Sequence, residues 1–122
     1  VAAQLCGARV TAIDRSDLAA GLMGHDRVRF VSGDAFAFVP DAPVDWLLSD
    51  VIAFPDKIYE LLERWLDQGW CRFFCVTVKF RGESDYVWLE RFAGLLEART
   101  AGYYMRRLSE NKNEVTVFGE SR

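Results

Sequence analysis

The chain has 122 residues, of which 51% are hydrophobic and 27% charged, and its net charge is −3. That length fits one domain, and the composition excludes a disordered tail, a collagen-like repeat and a coiled coil. With 15 Lys+Arg against 18 Asp+Glu, bulk charge does not make this a nucleic-acid binder. Any RNA or DNA contact has to come from a local patch or from another part of a longer protein.

Apolar-rich stretches such as residues 44–48 and 73–78 fall far short of the ~20 residues that a spanning helix needs. No membrane partner is expected, and no signal-peptide pattern is visible. The cysteines are Cys6, Cys71 and Cys75. An odd number without a regular framework points to a reducing compartment, so a cytoplasmic location is the expectation. The chain opens on Val1 within what reads as a helix end (VAAQLCGARV), which raises the expectation that more protein precedes it.

In chain order the elements alternate. Residues 8–13 (ARVTAI) form a β-branched run between Gly7 and Asp14. Residues 16–23 (SDLAAGLM) read as a short helix with Ser16 as N-cap. Residues 27–31 (RVRFV) alternate as a strand, ended by Gly33-Asp34, and Val44–Ser49 is a buried strand closed by Asp50. Pro55 opens a helix to about residue 68, with Ile58, Leu61, Leu62, Trp65 and Leu66 on one helical face and Gly69 as its stop. Residues 71–80 (CRFFCVTVKF) form a long apolar strand, the pattern expected when both sheet faces are covered. A second amphipathic helix over residues 84–100 carries Trp88, Phe92, Leu95 and Leu96. Two short strands, residues 103–108 and 115–118, flank a turn-rich loop and make an antiparallel hairpin. The order predicts an α/β fold: a mostly parallel, doubly wound sheet with an antiparallel strand added at one edge.

Polar residues collect at the carboxyl ends of the predicted strands. Asp14 ends the first, Asp34 follows the second, Asp50 ends the third and Lys79 sits near the end of the fourth. In open α/β sheets the ligand crevice lies at that edge. Asp14 is either a turn residue or an acceptor for a ribose diol. Asp34 either closes a turn or accepts from an adenine amino group, with Ala35 or Phe36 lining the ring. Asp50 sits between apolar segments (WLLS and VIAFP) and needs a partner or solvent. Lys79 ends an apolar strand, where it either snorkels to water or is held so that desolvation favours the neutral amine useful in proton transfer. Glu114 starts the last strand and alone would be an ordinary edge residue.

Other arrangements are weaker. Cys71 and Cys75 share a strand face about 13 Å apart and His25 is isolated, so no metal site is expected. Trp46, Trp65, Trp70 and Trp88 are most economically core residues. Arg106, Arg107 and Lys112 lie near Glu114, with Lys79 and Arg81 on the same predicted rim. That rim is either a solvated face or a phosphate-contacting patch.

The segments IDRSDL, SGDAF, LLSDVIAFP, VTVKF and NEVTVFG, in this order, resemble the S-adenosylmethionine-dependent ribose 2′-O-methyltransferases of the FtsJ-like superfamily. GWCRFFCVTVKF, NKNEVTVFG and the spacing from Asp50 to Pro55 are most similar to the RlmM branch, which methylates a cytidine ribose in large-subunit ribosomal RNA. The resemblance implies a Rossmann-like methyltransferase fold and S-adenosyl-L-methionine as cofactor. It places Asp50, Lys79 and Glu114 in the last three positions of a Lys-Asp-Lys-Glu catalytic set. It places Asp14, Asp34, Ala35, Phe36 and Asp50 at the cofactor. It also implies a ribosomal RNA partner, contacted through the rim of Arg81, Arg106, Arg107 and Lys112 and through an N-terminal RNA-binding region.

The resemblance also implies what this sequence lacks. The family's glycine-rich loop, its central strand and its first catalytic lysine fall upstream of Val1. The expectation is therefore one N-terminally truncated catalytic domain over residues 1–122, which by itself binds cofactor poorly and turns over little. Two rival readings are a nicotinamide-dependent oxidoreductase, which Asp14 would suit equally, and a catalytically inactive Rossmann-like binding module. The sequence leaves the oligomeric state open.

Overall fold

The computed structural model describes residues 7–16, 24, 26–107 and 113–122. They fall into two compact units, Val1–Val39 and Pro40–Arg122. The first contains strands β1 (Val10–Asp14) and β2 (Val28–Ser32), paired in parallel with Asp14 opposite Ser32. The helix expected over residues 16–23, along with Cys6 and His25, lies outside the described residues apart from Ser16.

The second unit is a four-stranded sheet with two helices. Its elements are β3 (Val44–Ser49), α1 (Pro55–Asp67), β4 (Cys71–Lys79), α2 (Val87–Arg99), β5 (Thr100–Arg106) and β6 (Glu114–Ser121). A single 3-10 turn, Glu83–Tyr86, leads into α2. The strand order is β3-β4-β6-β5. β3 and β4 are parallel, while β6 runs antiparallel to both β4 and β5. The expected hairpin is present, but the antiparallel strand is inserted between β4 and β5 rather than lying at the edge. Leaving β4, the chain crosses through α2, skips one sheet position, and β6 then folds back into the gap.

α1 shows how local chemistry sets an element. Pro55 starts it, and the preceding Phe54 is extended (φ −69, ψ 152), as a residue before proline prefers. Asp56 in the first turn complements the helix dipole. The helix ends in a Schellman motif: Gly69 takes φ 66, its N–H donates to Leu66 O at 3.2 Å, and Trp70 N–H donates to Trp65 O at 3.0 Å.

Ile58, Leu62, Phe92 and Leu96 from the helices are buried against Phe74, Val76, Val78 and Val117 of the sheet. Each such side chain contributes about 1.5–3 kcal/mol of transfer free energy. Tyr59 of α1 joins α2 through ring contacts with Trp88 and Phe92 at 5.6 and 5.4 Å.

The other sheet face departs from expectation. Phe73, Cys75, Thr77 and Lys79 alternate with the buried residues of β4 and are only half-buried. Trp46, expected in the core, is 54% exposed and stacks on Phe73 at 4.9 Å. The helices described here cover one face of the sheet, and Trp46 projects from the opposite one. Trp65 is buried, and Trp70 and Trp88 are half-buried.

Candidate active site

In the first unit, two predicted carboxylates come together at the carboxyl ends of adjacent parallel strands. Asp14 is the last residue of β1, and its Oδ1 accepts from Ser16 N–H at 3.1 Å. Asp34 lies just beyond β2; its Oδ1 accepts from Phe36 N–H at 2.9 Å and its Oδ2 faces Arg15 Nη2 at 3.5 Å. Gly33 N–H donates to Asp14 O at 3.0 Å and ties the two strand ends together. Both side chains therefore serve in local turns, and both remain exposed to solvent. Ala35 and Phe36 are half-buried beside them.

In the second unit, Asp50, Lys79 and Glu114 converge. Asp50 directly follows β3 and Lys79 ends the neighbouring parallel β4, so the two reach the same sheet edge. Lys79 Nζ lies 2.9 Å from Asp50 Oδ1 and donates to Asp50 O at 3.2 Å. The Lys79 side chain is 26% exposed and that of Asp50 is 78% exposed. The Lys79 stem thus runs along the apolar strand while its nitrogen meets both solvent and carboxylate. Glu114 stands directly opposite Lys79 in the β4–β6 pair.

A residue outside the predicted set holds this corner in shape. Asn113 sits at φ 51, a conformation asparagine tolerates better than most side chains. Its Nδ2 donates to Phe80 O at 2.7 Å, its Oδ1 accepts from Tyr86 OH at 2.8 Å, and its backbone carbonyl accepts from Phe80 N–H at 3.0 Å. The start of β6, and with it Glu114, is therefore pinned to the residue following Lys79. Only the turn-rich character of its loop marks Asn113 in the sequence.

Beside Lys79 lies a concavity of about 380 Å³. Ile52, Ala53, Phe54 and Phe80 give it apolar walls, and Lys57, Lys79 and Arg81 supply cations. Ile52 is 88% exposed, a large apolar surface at the mouth of a polar corner. The Arg81 guanidinium lies over the Phe54 ring at 4.0 Å. The buried Asp85 holds it through Nε to Oδ2 and Nη2 to Oδ1, both at 3.2 Å, and also accepts the Arg81 backbone N–H at 2.9 Å. These Arg81 side-chain and backbone hydrogen bonds keep the Asp85 carboxyl below the ordinary carboxylate range, against the opposing effect of burial. An arginine four residues before an aspartate was the available sequence signal, but it lay at the head of a predicted helix.

Of the remaining predicted rim, Arg106 lies over the Tyr104 ring at 5.4 Å and is opposite Thr116 in the sheet. Arg107 is exposed, and Lys112 lies outside the described residues. The Cys71 thiol is buried and pushed up to about 11 by that burial.

No family model matches the chain. It is 31% identical over 117 residues to ribosomal RNA large subunit methyltransferase M of Xylella fastidiosa strain M23, covering 93% of this chain and 33% of that protein. The protein of the same name from Pseudomonas fluorescens is 37% identical over 100 residues, covering 82% of this chain and 27% of that protein. The chain thus spans about a third of the length of these relatives. Among solved structures, an rRNA methylase from Streptococcus thermophilus superposes with a TM-score of 0.58 at 20% identity, covering 93% of this chain and 73% of that one. The chain is thus a homologue, over most of its length, of the proteins named ribosomal RNA large subunit methyltransferase M, and its fold is that of the Rossmann-like methyltransferases.

Proposed function

We propose that this chain forms part of an S-adenosylmethionine-dependent methyltransferase acting on a ribose 2′-hydroxyl of RNA, with a cytidine of large-subunit ribosomal RNA as the expected target. The observation that carries the reading is the Lys79–Asp50 pair at the ends of adjacent parallel strands, with Glu114 across from Lys79. A ribose hydroxyl is a poor nucleophile until it gives up its proton. In this reading Lys79 accepts that proton, or donates to the oxygen as negative charge develops. Asp50 fixes where the nitrogen stands, and Glu114 adds a second carboxylate beside it. Holding the hydroxyl in one orientation supplies much of the remaining rate.

The chemistry of the donor set fits the nucleoside half of the cofactor. Asp14 and Asp34 supply exposed carboxylate acceptors at two adjacent strand ends, suited to ribose hydroxyls and an adenine amino group, with Ala35 and Phe36 beside the ring. The cofactor supplies an electrophilic methyl group on a sulfonium.

β1 and β3 each have one hydrogen-bonded neighbour among the described strands. Unpaired strand edges are costly to leave open. We read the chain as part of a single catalytic domain in which further backbone covers the open edges of each sheet. Arg81, Arg106 and Arg107 would contact the RNA.

The test is methyl transfer by the full-length protein carrying this sequence. Radiolabel from S-adenosylmethionine should enter ribosomal RNA, and the modified position should resist alkaline cleavage of its 3′ phosphodiester. Label on a base, or none in RNA, would overturn the reading.

A further inference from the structure

Arg81, paired with Asp85, lines the concavity beside Lys79, yet proton transfer at Lys79 does not require the pair. Its construction is unlike that of a surface ion pair. The Asp85 side chain is 7% exposed, while Arg81 remains 63% exposed. Both carboxylate oxygens are used, and all three hydrogen bonds come from Arg81. Phe54 supports the guanidinium plane from one face at 4.0 Å. An exposed arginine ordinarily samples many rotamers; this one is fixed by a two-pronged fork and a ring.

The fork also determines what Arg81 offers to a ligand. Nε and one N–H of Nη2 are directed at Asp85. Both N–H groups of Nη1 and the second of Nη2 are left, and one N–H from each of these nitrogens forms the end-on edge of the guanidinium. That edge matches two oxygens of one phosphate. Asp85 offsets the charge of Arg81, Glu60 lies 3.6 Å from Lys57, and Asp50 lies 2.9 Å from Lys79. The cations of this concavity are thus matched by carboxylates, so recognition here depends on geometry more than on net charge.

We propose that Arg81 binds an RNA phosphodiester beside the target ribose, and that Asp85 is a positioning residue that holds the guanidinium edge toward it. This rests on the functional reading above and adds the group that sets the register of the strand at Lys79. Phosphate contacts of this kind position a nucleic acid without reading its sequence.

The experiment uses the full-length enzyme and its RNA substrate, with steady-state kinetics and calorimetric titration of S-adenosylmethionine. Arg81→Gln should raise KM for RNA about tenfold, the loss expected for charge-assisted hydrogen bonds, lower kcat severalfold, and leave cofactor affinity unchanged. Asp85→Asn keeps the arginine charge but releases its orientation, so it should lower kcat severalfold without raising KM. Arg81→Lys should rescue KM in part and kcat poorly, because an ammonium cannot form the fork. In the Arg81→Gln background, Asp85→Asn should cost little more.

Wild-type KM for RNA in Arg81→Gln would overturn the proposal. So would an equal loss of affinity for S-adenosylmethionine, which would place the cofactor carboxylate on Arg81 instead. Additive losses in the double variant would reduce Asp85 to a fold contact and overturn its assigned role. A wild-type enzyme that methylates no RNA would instead sink the functional reading itself.

Discussion

Lys79 engages Asp50 twice, through the carboxylate at 2.9 Å and through the backbone carbonyl at 3.2 Å. Together the two contacts fix where the Lys79 nitrogen stands. Because the Asp50 carboxylate is 78% exposed, the pair adds little to stability, about 1 kcal/mol at most. Asp50→Asn should therefore leave thermal unfolding nearly unchanged while lowering kcat for methyl transfer by about a hundredfold. A large fall in melting temperature would show that the pair is structural.

Asn113 pins the start of β6 to the end of β4. Asn113→Ala removes the side-chain bonds to Phe80 O and Tyr86 OH and places alanine at φ 51. The two effects together should cost about 2–3 kcal/mol. Asn113→Gly loses the bonds but not the conformational tolerance, so it should be the milder change. Thermal or urea denaturation of both variants checks the ranking, and equal losses would contradict it.

Gly119 is required by a close approach of strands. A Cβ there would run into the Gly102 carbonyl oxygen and meet the Phe74 ring and the Tyr103 Cα at 3.0 Å. Gly119 is paired with Tyr103, next to the register shift between Thr100 and Gly102. Gly119→Ala should destabilise the fold by about 1–3 kcal/mol, readable as a lower urea midpoint. An unchanged midpoint would show that β5 can move aside.

Stability should also bend with pH at both ends. Burial raises the Cys71 thiol to about 11 from 9.0, so its neutral form is the folded form. The associated stabilisation is complete below pH 9.0 and is lost as pH rises through about 11, on the order of 2–3 kcal/mol. Cys71→Ala should flatten that alkaline limb. Asp85 behaves oppositely: its carboxyl is held below 3.8, so its contribution is present above that pH and is lost as pH falls further. Asp85→Asn should flatten the acid limb. Unfolding curves recorded across pH test both, and unaltered limbs would contradict the assignments.

Much of this arrangement could be read along the chain because it rests on local rules. The helical spacing from Ile58 to Leu66, bounded by Pro55 and Gly69, places α1 almost to the residue. Asp50 and Lys79 were legible because each follows an apolar run, and the end of a parallel strand is where a ligand site forms. The insertion of β6 between β4 and β5 was not legible, since it depends on pairing between distant segments. The exposure of Trp46 depends on which sheet face the helices cover, and hydrophobicity alone does not encode that. Asp85 and Asn113 have unremarkable local sequence. What matters in each is its partner: Arg81 in a turn for one, and Phe80, 33 residues away, for the other.

The measurement that bears most directly on the central claim is methyl transfer by Lys79→Ala in the full-length protein, read beside S-adenosylmethionine binding by calorimetry. Transfer to RNA should fall by at least about a thousandfold while the cofactor binds as in the wild type. Transfer that persists near the wild-type rate would show that Lys79 does not handle the proton, and the site would have to be sought elsewhere.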